Sequence, residues 1–259
     1  MRLSYRPFQN KHANYIKLAP YRGIFKEGVP ILTYHKIGEP AETVRMKSLY
    51  VRPALFERQL TEFQRAGFQT AKLSHWKSFT NPNRRQFVIT FDDGSNSVFQ
   101  SACSSLHKFG FSAIQYLVAD LIGGKNEWDI MNGEVEDSLM GESEVRAWLS
   151  AGHEIGSHTL THARLTRIDP KQAREEIFSS KKKLEDRFGV PIRHFCYPYG
   201  NWKQWVRNLV EEAGYETAVT TNAGVCTDIT DPFTLPRLNV ERSHRTWRTL
   251  ISRFLPWTL

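Results

Sequence analysis

Strand-length apolar runs and helix-spaced apolar residues take turns along most of this chain. Residues 29–34 form a short run of strand formers ending at His35, the length and composition of a buried strand. Residues 36–51 show no period and read as loop. Pro53 opens a stretch in which Phe56, Leu60 and Phe63 recur on one face and Gly67 marks the stop, which predicts a helix. Residues 68–71 suit a short strand, 73–79 a short helix with Trp76, and Asn81-Pro82-Asn83 a turn. A strand at 86–91, a helix at 98–108 stopped by Gly110 and a strand at 111–118 follow. Residues 120–140 read as one long loop with Gly123-Gly124 and Trp128, of a length that often shapes a binding groove. Beyond it come a helix at 143–151 with Ser143 as its N-cap and a strand at 153–157. Asp169-Pro170 starts a long helix to about Phe188, with Ile177 and Leu184 on its inner face. A strand at 191–196, a helix at 202–213, and strands at 215–220 and 235–240 complete the pattern. About eight short strands alternating with helices predict an α/β fold, a single β/α barrel.

Composition refines this picture. A length of 259 residues suits one large α/β domain or two small ones, and 40% hydrophobic with 12% aromatic residues can fill a sizeable core. The net charge of +8 points to an anionic neighbour such as a membrane surface or an acidic glycan. Nucleic acid would also suit that charge, but no recognition motif is evident and none is expected as a partner. Cys103, Cys196 and Cys226 are odd in number and form no CxxC, so they read as reduced, mostly buried thiols. The opening residues are basic without an apolar run of signal-peptide length, and no stretch reaches membrane-spanning length. Together these features lead us to expect a cytoplasmic protein, with peripheral contact on the inner membrane face as an option.

Two motifs carry chemistry. In Val88-Ile89-Thr90-Phe91-Asp92-Asp93-Gly94, strand formers run into two adjacent carboxylates and a glycine. At a strand end such a pair points in different directions, so one can bind a cation while the other handles protons; the plainer reading is an Asp-Gly turn. In Ser157-His158-Thr159-Leu160-Thr161-His162, two imidazoles four residues apart can face one ion. Zinc takes imidazole and carboxylate ligands, and two histidines need a third donor that the Asp pair can supply.

These motifs, with Gly152-His153-Glu154-Ile155-Gly156-Ser157-His158 and Phe195-Cys196-Tyr197-Pro198-Tyr199-Gly200, resemble the polysaccharide deacetylase family, carbohydrate esterase family 4. The resemblance runs from about Val29 to Val240. It implies a distorted (β/α) barrel of about seven to eight strands that removes acetyl groups from glycans with a divalent ion, zinc above others. Carried over, Asp93, His158 and His162 would hold the metal, Asp92 would be the general base, and the backbone N–H near Tyr199 would donate to the oxyanion. Many members place a general-acid His near the C-terminus, where this chain has Leu235-Pro236-Arg237-Leu238-Asn239-Val240. A permuted-type subset moves it to the first strand, and Leu32-Thr33-Tyr34-His35 is similar to that arrangement. His35 is therefore the expected acid, against a strand-capping role.

Other departures matter. Cys196 stands where many members have the Arg that orients the base; Arg237 is the candidate replacement, the alternative being a surface salt bridge. Ser95 occupies an often aromatic position, and His153 reads as a packed residue rather than a ligand. Trp128 and Trp202 can stack on sugar rings or pack in the core.

Residues 1–28 read as a basic arm, 29–240 as the catalytic barrel and 241–259 as a cationic amphipathic helix. That helix suits either docking on the barrel or an anionic membrane, the latter pairing with a lipid-linked sugar or cell-envelope glycan as substrate. The expected function is metal-dependent hydrolysis of an N-acetyl or similar acyl group on a carbohydrate. A small-amide hydrolase and a non-catalytic carbohydrate- or membrane-binding protein are the alternatives.

Overall fold

The computed structural model describes residues 28–78, 85–131 and 133–240. The arm and the terminal helix expected from the sequence lie outside those residues, apart from Gly28.

The chain runs β1 (Ile31–Tyr34), β2 (Lys36–Ile37), β3 (Tyr50–Val51), α1 (Pro53–Arg65), β4 (Gln69–Thr70), β5 (Gln86–Phe91), α2 (Asn96–Phe109) and β6 (Ile114–Leu117). It continues with α3 (Glu127–Ile130), α4 (Glu142–Ser150), β7 (Glu154–Ser157), α5 (Pro170–Phe188), β8 (His194–Cys196), α6 (Gln204–Glu212), β9 (Thr217–Ala223) and β10 (Leu235–Asn239). The main sheet has the order β1-β10-β9-β8-β7-β6-β5-β4. β1 also pairs with β5, which closes seven parallel strands into a barrel and leaves β4 as an extra strand outside it.

Period-two alternation divides the strand side chains between two surfaces. Leu32, Tyr34, Ile89 and Phe91 pack outward with helix residues such as Phe56, Leu60, Val98 and Leu106. Ile31, Val88, Ile114, Tyr116, Cys196, Val219 and Leu235 form a second cluster, the filling of the barrel. Gly156 on β7 makes that filling possible, because a Cβ there would stand 2.5 Å from the Tyr116 ring and 2.8 Å from the His194 carbonyl oxygen.

The helices begin and end where their terminal residues allow. Asp169 accepts from the N–H groups of Lys171 and Gln172 at the start of α5, and Pro170 occupies the first turn. Gly110 and Gly189 end α2 and α5 in the left-handed conformation. Ser143, expected as an N-cap, lies inside α4: Gly141 holds the cap position, and the Ser143 hydroxyl donates to Glu144.

Two loops are more ordered than their sequences suggest. Within 36–51, β2 and β3 pair in parallel, a ladder too short to leave a period. The 120–140 segment contains α3 and is pinned by the bridges Ser95↔Leu139 and Lys125↔Ser138. The Asn126 side chain ties it further, donating to Val135 O and accepting from Asp137 N. No helix among the described residues is long and apolar enough to cross a membrane.

Candidate active site

Asp92 follows β5 and continues its inward face, two residues beyond Thr90. Its N–H donates to the Tyr34 carbonyl oxygen at 2.9 Å, which ties the loop start to β1. Asp93 (φ 73°) and Gly94 (φ 79°) then turn through two left-handed residues. That turn separates the directions of the two carboxylates.

Arg237 comes from β10 and is fully buried, so the surface-bridge alternative does not apply. Its Nη1 and Nη2 donate to Asp92 Oδ1 and Oδ2 at 2.8 and 2.7 Å. The remaining donors reach Thr220 O, Thr90 Oγ1 and Cys196 Sγ, which leaves no N–H unpaired. Burial alone would push the Asp92 carboxyl up, but the charge and hydrogen bonds of Arg237, with His35 and His158 nearby, together outweigh it and hold the group below the usual carboxylate range. The His35 ring stands at the same mouth, with Nε2 3.9 Å from Asp92 Oδ2.

Asp93 faces the histidine pair. Its Oδ1 is 3.4 Å from Nε2 of His158 and 3.4 Å from Nε2 of His162. Burial pushes the Asp93 carboxyl up, yet the two imidazoles bring it well below its ordinary value. Two donors each about 2.0–2.2 Å from one ion at a tetrahedral angle stand about 3.3–3.6 Å apart, so these separations suit a shared ion. His158 Nδ1 lies 2.7 Å from the Cys196 carbonyl oxygen. A carbonyl only accepts, so the proton belongs on Nδ1 and the Nε2 lone pair is left for an ion. Asp92, His158 and Cys196 also lie close enough to share an ion, but there the Arg237 cation already occupies Asp92. The residues at Asp93, His158 and His162 fit a divalent metal.

The loop bearing the histidines is shaped by a residue the sequence reading missed. Glu176, on α5, accepts from the N–H groups of Leu160 at 2.8 Å and Thr161 at 3.0 Å and from the Thr161 hydroxyl at 2.6 Å. The loop needs this hold, since Thr159 (φ 68°) and His162 (φ 64°) are both left-handed. Glu176 sits in a helix rich in charged residues, so its sequence offers no signal that sets it apart from a solvated face.

Trp128, from α3, lies against the His162 ring with centroids 4.4 Å apart. Tyr199 also meets His162, edge-on at 4.6 Å. Tyr199 is itself left-handed (φ 61°), and its backbone N–H makes no hydrogen bond among the described residues. Beside it, Gly200 (φ 68°) lies so close to Thr221 that a Cβ would be 1.9 Å from Oγ1. Trp202, by contrast, is partly buried against the outer core. Ser95 caps α2 and donates to Asp137 at 2.8 Å. His153 packs on Trp148 at 4.2 Å, and burial brings its imidazole down to about 4.

The family model for polysaccharide deacetylases matches residues 80–218, and the chain belongs to that family. The Bacillus subtilis (strain 168) protein YxkH is 27% identical over 216 residues, 82% of this chain and 71% of that protein. A chitooligosaccharide deacetylase from Bradyrhizobium sp. (strain ANU 289) is 31% identical over 132 residues, 50% of this chain and 53% of that protein. Among solved structures, BC0361, a polysaccharide deacetylase from Bacillus cereus, superposes with a TM-score of 0.72 at 25% identity, covering 86% of this chain and 69% of that one. The protein is thus a deacetylase-type hydrolase of amide bonds on a closed parallel barrel.

Proposed function

We propose that the protein removes acetyl groups from an N-acetylated glycan with the help of a divalent ion, zinc above others, held by Asp93, His158 and His162. The convergence of these three donors, 3.4 Å from carboxylate to each imidazole and beside an Asp92 locked by Arg237, carries the reading. The ion would supply a Lewis acid that polarises the acetyl carbonyl and makes water more acidic.

The remaining work falls to the chain. Asp92 is ionised and oriented, so its carboxylate receives the proton of the attacking water. Arg237 fixes the two oxygens and stays outside the reaction. The unpaired Tyr199 N–H donates to the carbonyl oxygen as negative charge grows there. His35 protonates the departing amine nitrogen, as in the permuted arrangement its position resembles. Trp128 backs the His162 ring and forms a wall of the site, where a sugar ring can stack.

The bearing on substrate is chemical. The Bradyrhizobium relative is named for chitooligosaccharides, which favours N-acetylglucosamine units here. The charge of +8 and the cationic amphipathic pattern at 241–259 favour an envelope glycan or a lipid-linked sugar met at the inner membrane face, by a protein otherwise in the cytoplasm.

Acetate release from chitooligosaccharides by zinc-loaded protein tests the reading. Activity lost on chelation, restored by zinc and abolished in Asp92→Asn and Asp93→Ala would support it. Folded, zinc-loaded protein that frees acetate from no N-acetylated glycan would overturn it.

A further inference from the structure

The rings at the mouth form a row: Trp128 on His162, His162 on Tyr199, and Tyr199 on the guanidinium of Arg164. Arg164 Cζ stands 3.4 Å from the Tyr199 ring centroid. Arg164 is half-buried on the same loop as His162, and its guanidinium has no hydrogen bond or ion pair among the described residues. Among the described residues, the other arginines placed over a ring also have a carboxylate: Arg146 and Arg187 pair with Glu142, Arg174 with Glu212, Arg207 with Asp231 and Arg237 with Asp92. Arg164 has the ring alone. Only the Tyr199 ring separates Arg164 from His162, whose ring centroid lies 4.6 Å from that of Tyr199, which sets Arg164 at the rim of the candidate metal site.

A guanidinium held flat by a ring keeps its edge free, and that edge matches the two oxygens of a carboxylate or phosphate. Stacking also removes rotamer freedom before any ligand arrives, so less is lost on binding. We propose that Arg164 is a specificity residue that recognises an anionic group, carboxylate or phosphate, on the glycan next to the acetamido group under attack. This rests on the deacetylase reading and narrows its substrate class to acidic glycans or sugar phosphates.

The test compares kcat/KM for acetate release from three probes: neutral chitotetraose, a hyaluronan tetrasaccharide carrying carboxylates, and N-acetylglucosamine 1-phosphate. Zinc-loaded wild type should prefer one anionic probe over the neutral one, and which probe wins separates carboxylate from phosphate. In Arg164→Met the anionic-to-neutral ratio should fall about tenfold or more, mostly through KM, the scale of a charge-assisted hydrogen bond. Arg164→Lys should recover part of the ratio, since it keeps the charge and loses the fork. A wild type that prefers the neutral probe would overturn the proposal. So would an Arg164→Met variant whose rates fall equally on all probes, the mark of a residue that only braces Tyr199. Acetate release from the neutral probe in either case leaves the deacetylase reading standing. Release from none of the three overturns both.

Discussion

Arg237 forks onto Asp92 through two hydrogen bonds of 2.8 and 2.7 Å between residues 145 positions apart. The fork fixes the rotation of the carboxylate as well as its charge. Arg237→Lys keeps the charge and loses the second contact, so kcat should fall about 100-fold, within the range for general-base catalysis, with KM little changed. Arg237→Met leaves a buried carboxylate without its partner and should destabilise the fold by about 3–5 kcal/mol in urea unfolding. Adding Asp92→Asn should recover much of that loss. A double variant as unstable as Arg237→Met would contradict the pairing.

Glu176 should govern metal affinity without touching the ion. Glu176→Gln leaves a carboxamide with a single accepting oxygen for a loop that now uses both carboxylate oxygens. Zinc affinity, measured by competition with a coloured chelator, should weaken about 10–100-fold. Glu175→Gln, altering an exposed neighbour bonded to Ser179, should leave it unchanged. Equal affinities in wild type and Glu176→Gln would remove the role assigned to that carboxylate.

How far the sequence was readable depends on how local each signal was. Asp92 and Asp93 stood out because strand formers lead straight into them, and the HxxxH spacing of His158 and His162 survives in a loop as it would in a helix. Arg237 could be singled out by its place on the last strand. Its depth could not, because its partners Asp92, Thr220 and Cys196 come from three other parts of the chain. Glu176 gave no signal, since its helix carries charges on most of its surface. The pairing of β2 with β3 escaped for another reason: two residues cannot display a period. Ser143 misled because a serine before an apolar stretch looks like a cap, whereas here the cap falls two residues earlier, at Gly141.

Acid should weaken the fold through His194. It is buried, bonded to Thr217 at 2.9 Å, and burial brings its imidazole down to about 3. An unfolded histidine titrates at about 6.5, so between those values the unfolded chain takes up a proton that the folded one refuses. The contribution is fully present above pH about 6.5 and is lost as pH falls toward about 3, at up to about 1.4 kcal/mol per unit. Urea unfolding across that range should show a shallower pH slope for His194→Asn than for wild type. Matching slopes would exclude this histidine as a source of acid sensitivity.

Gly156 and Tyr116 should prove coupled. Gly156→Ala presses a methyl group into the Tyr116 ring and should cost about 1–3 kcal/mol. Tyr116→Leu opens space at the same point, so the double variant should be more stable than the sum of the two losses by at least about 0.5 kcal/mol in a double-mutant cycle. Strict additivity would mean that the backbone, not the ring, absorbs the methyl group.

The barrel closes where β1 meets both β5 and β10, so its last strand is also its seam. All three candidate ion donors have been synthesised by His162, whereas the guanidinium that aligns Asp92 arrives only with Arg237. A chain growing from its N-terminus therefore carries its full set of ion donors well before it can hold Asp92 in register. If these donors hold the proposed ion, an ion taken up early would meet no aligned Asp92 until the seam is shut, and a partly made or partly opened barrel would be idle. Hydrolytic activity then reports more than the presence of the donors: it registers that the final strand has been laid in place.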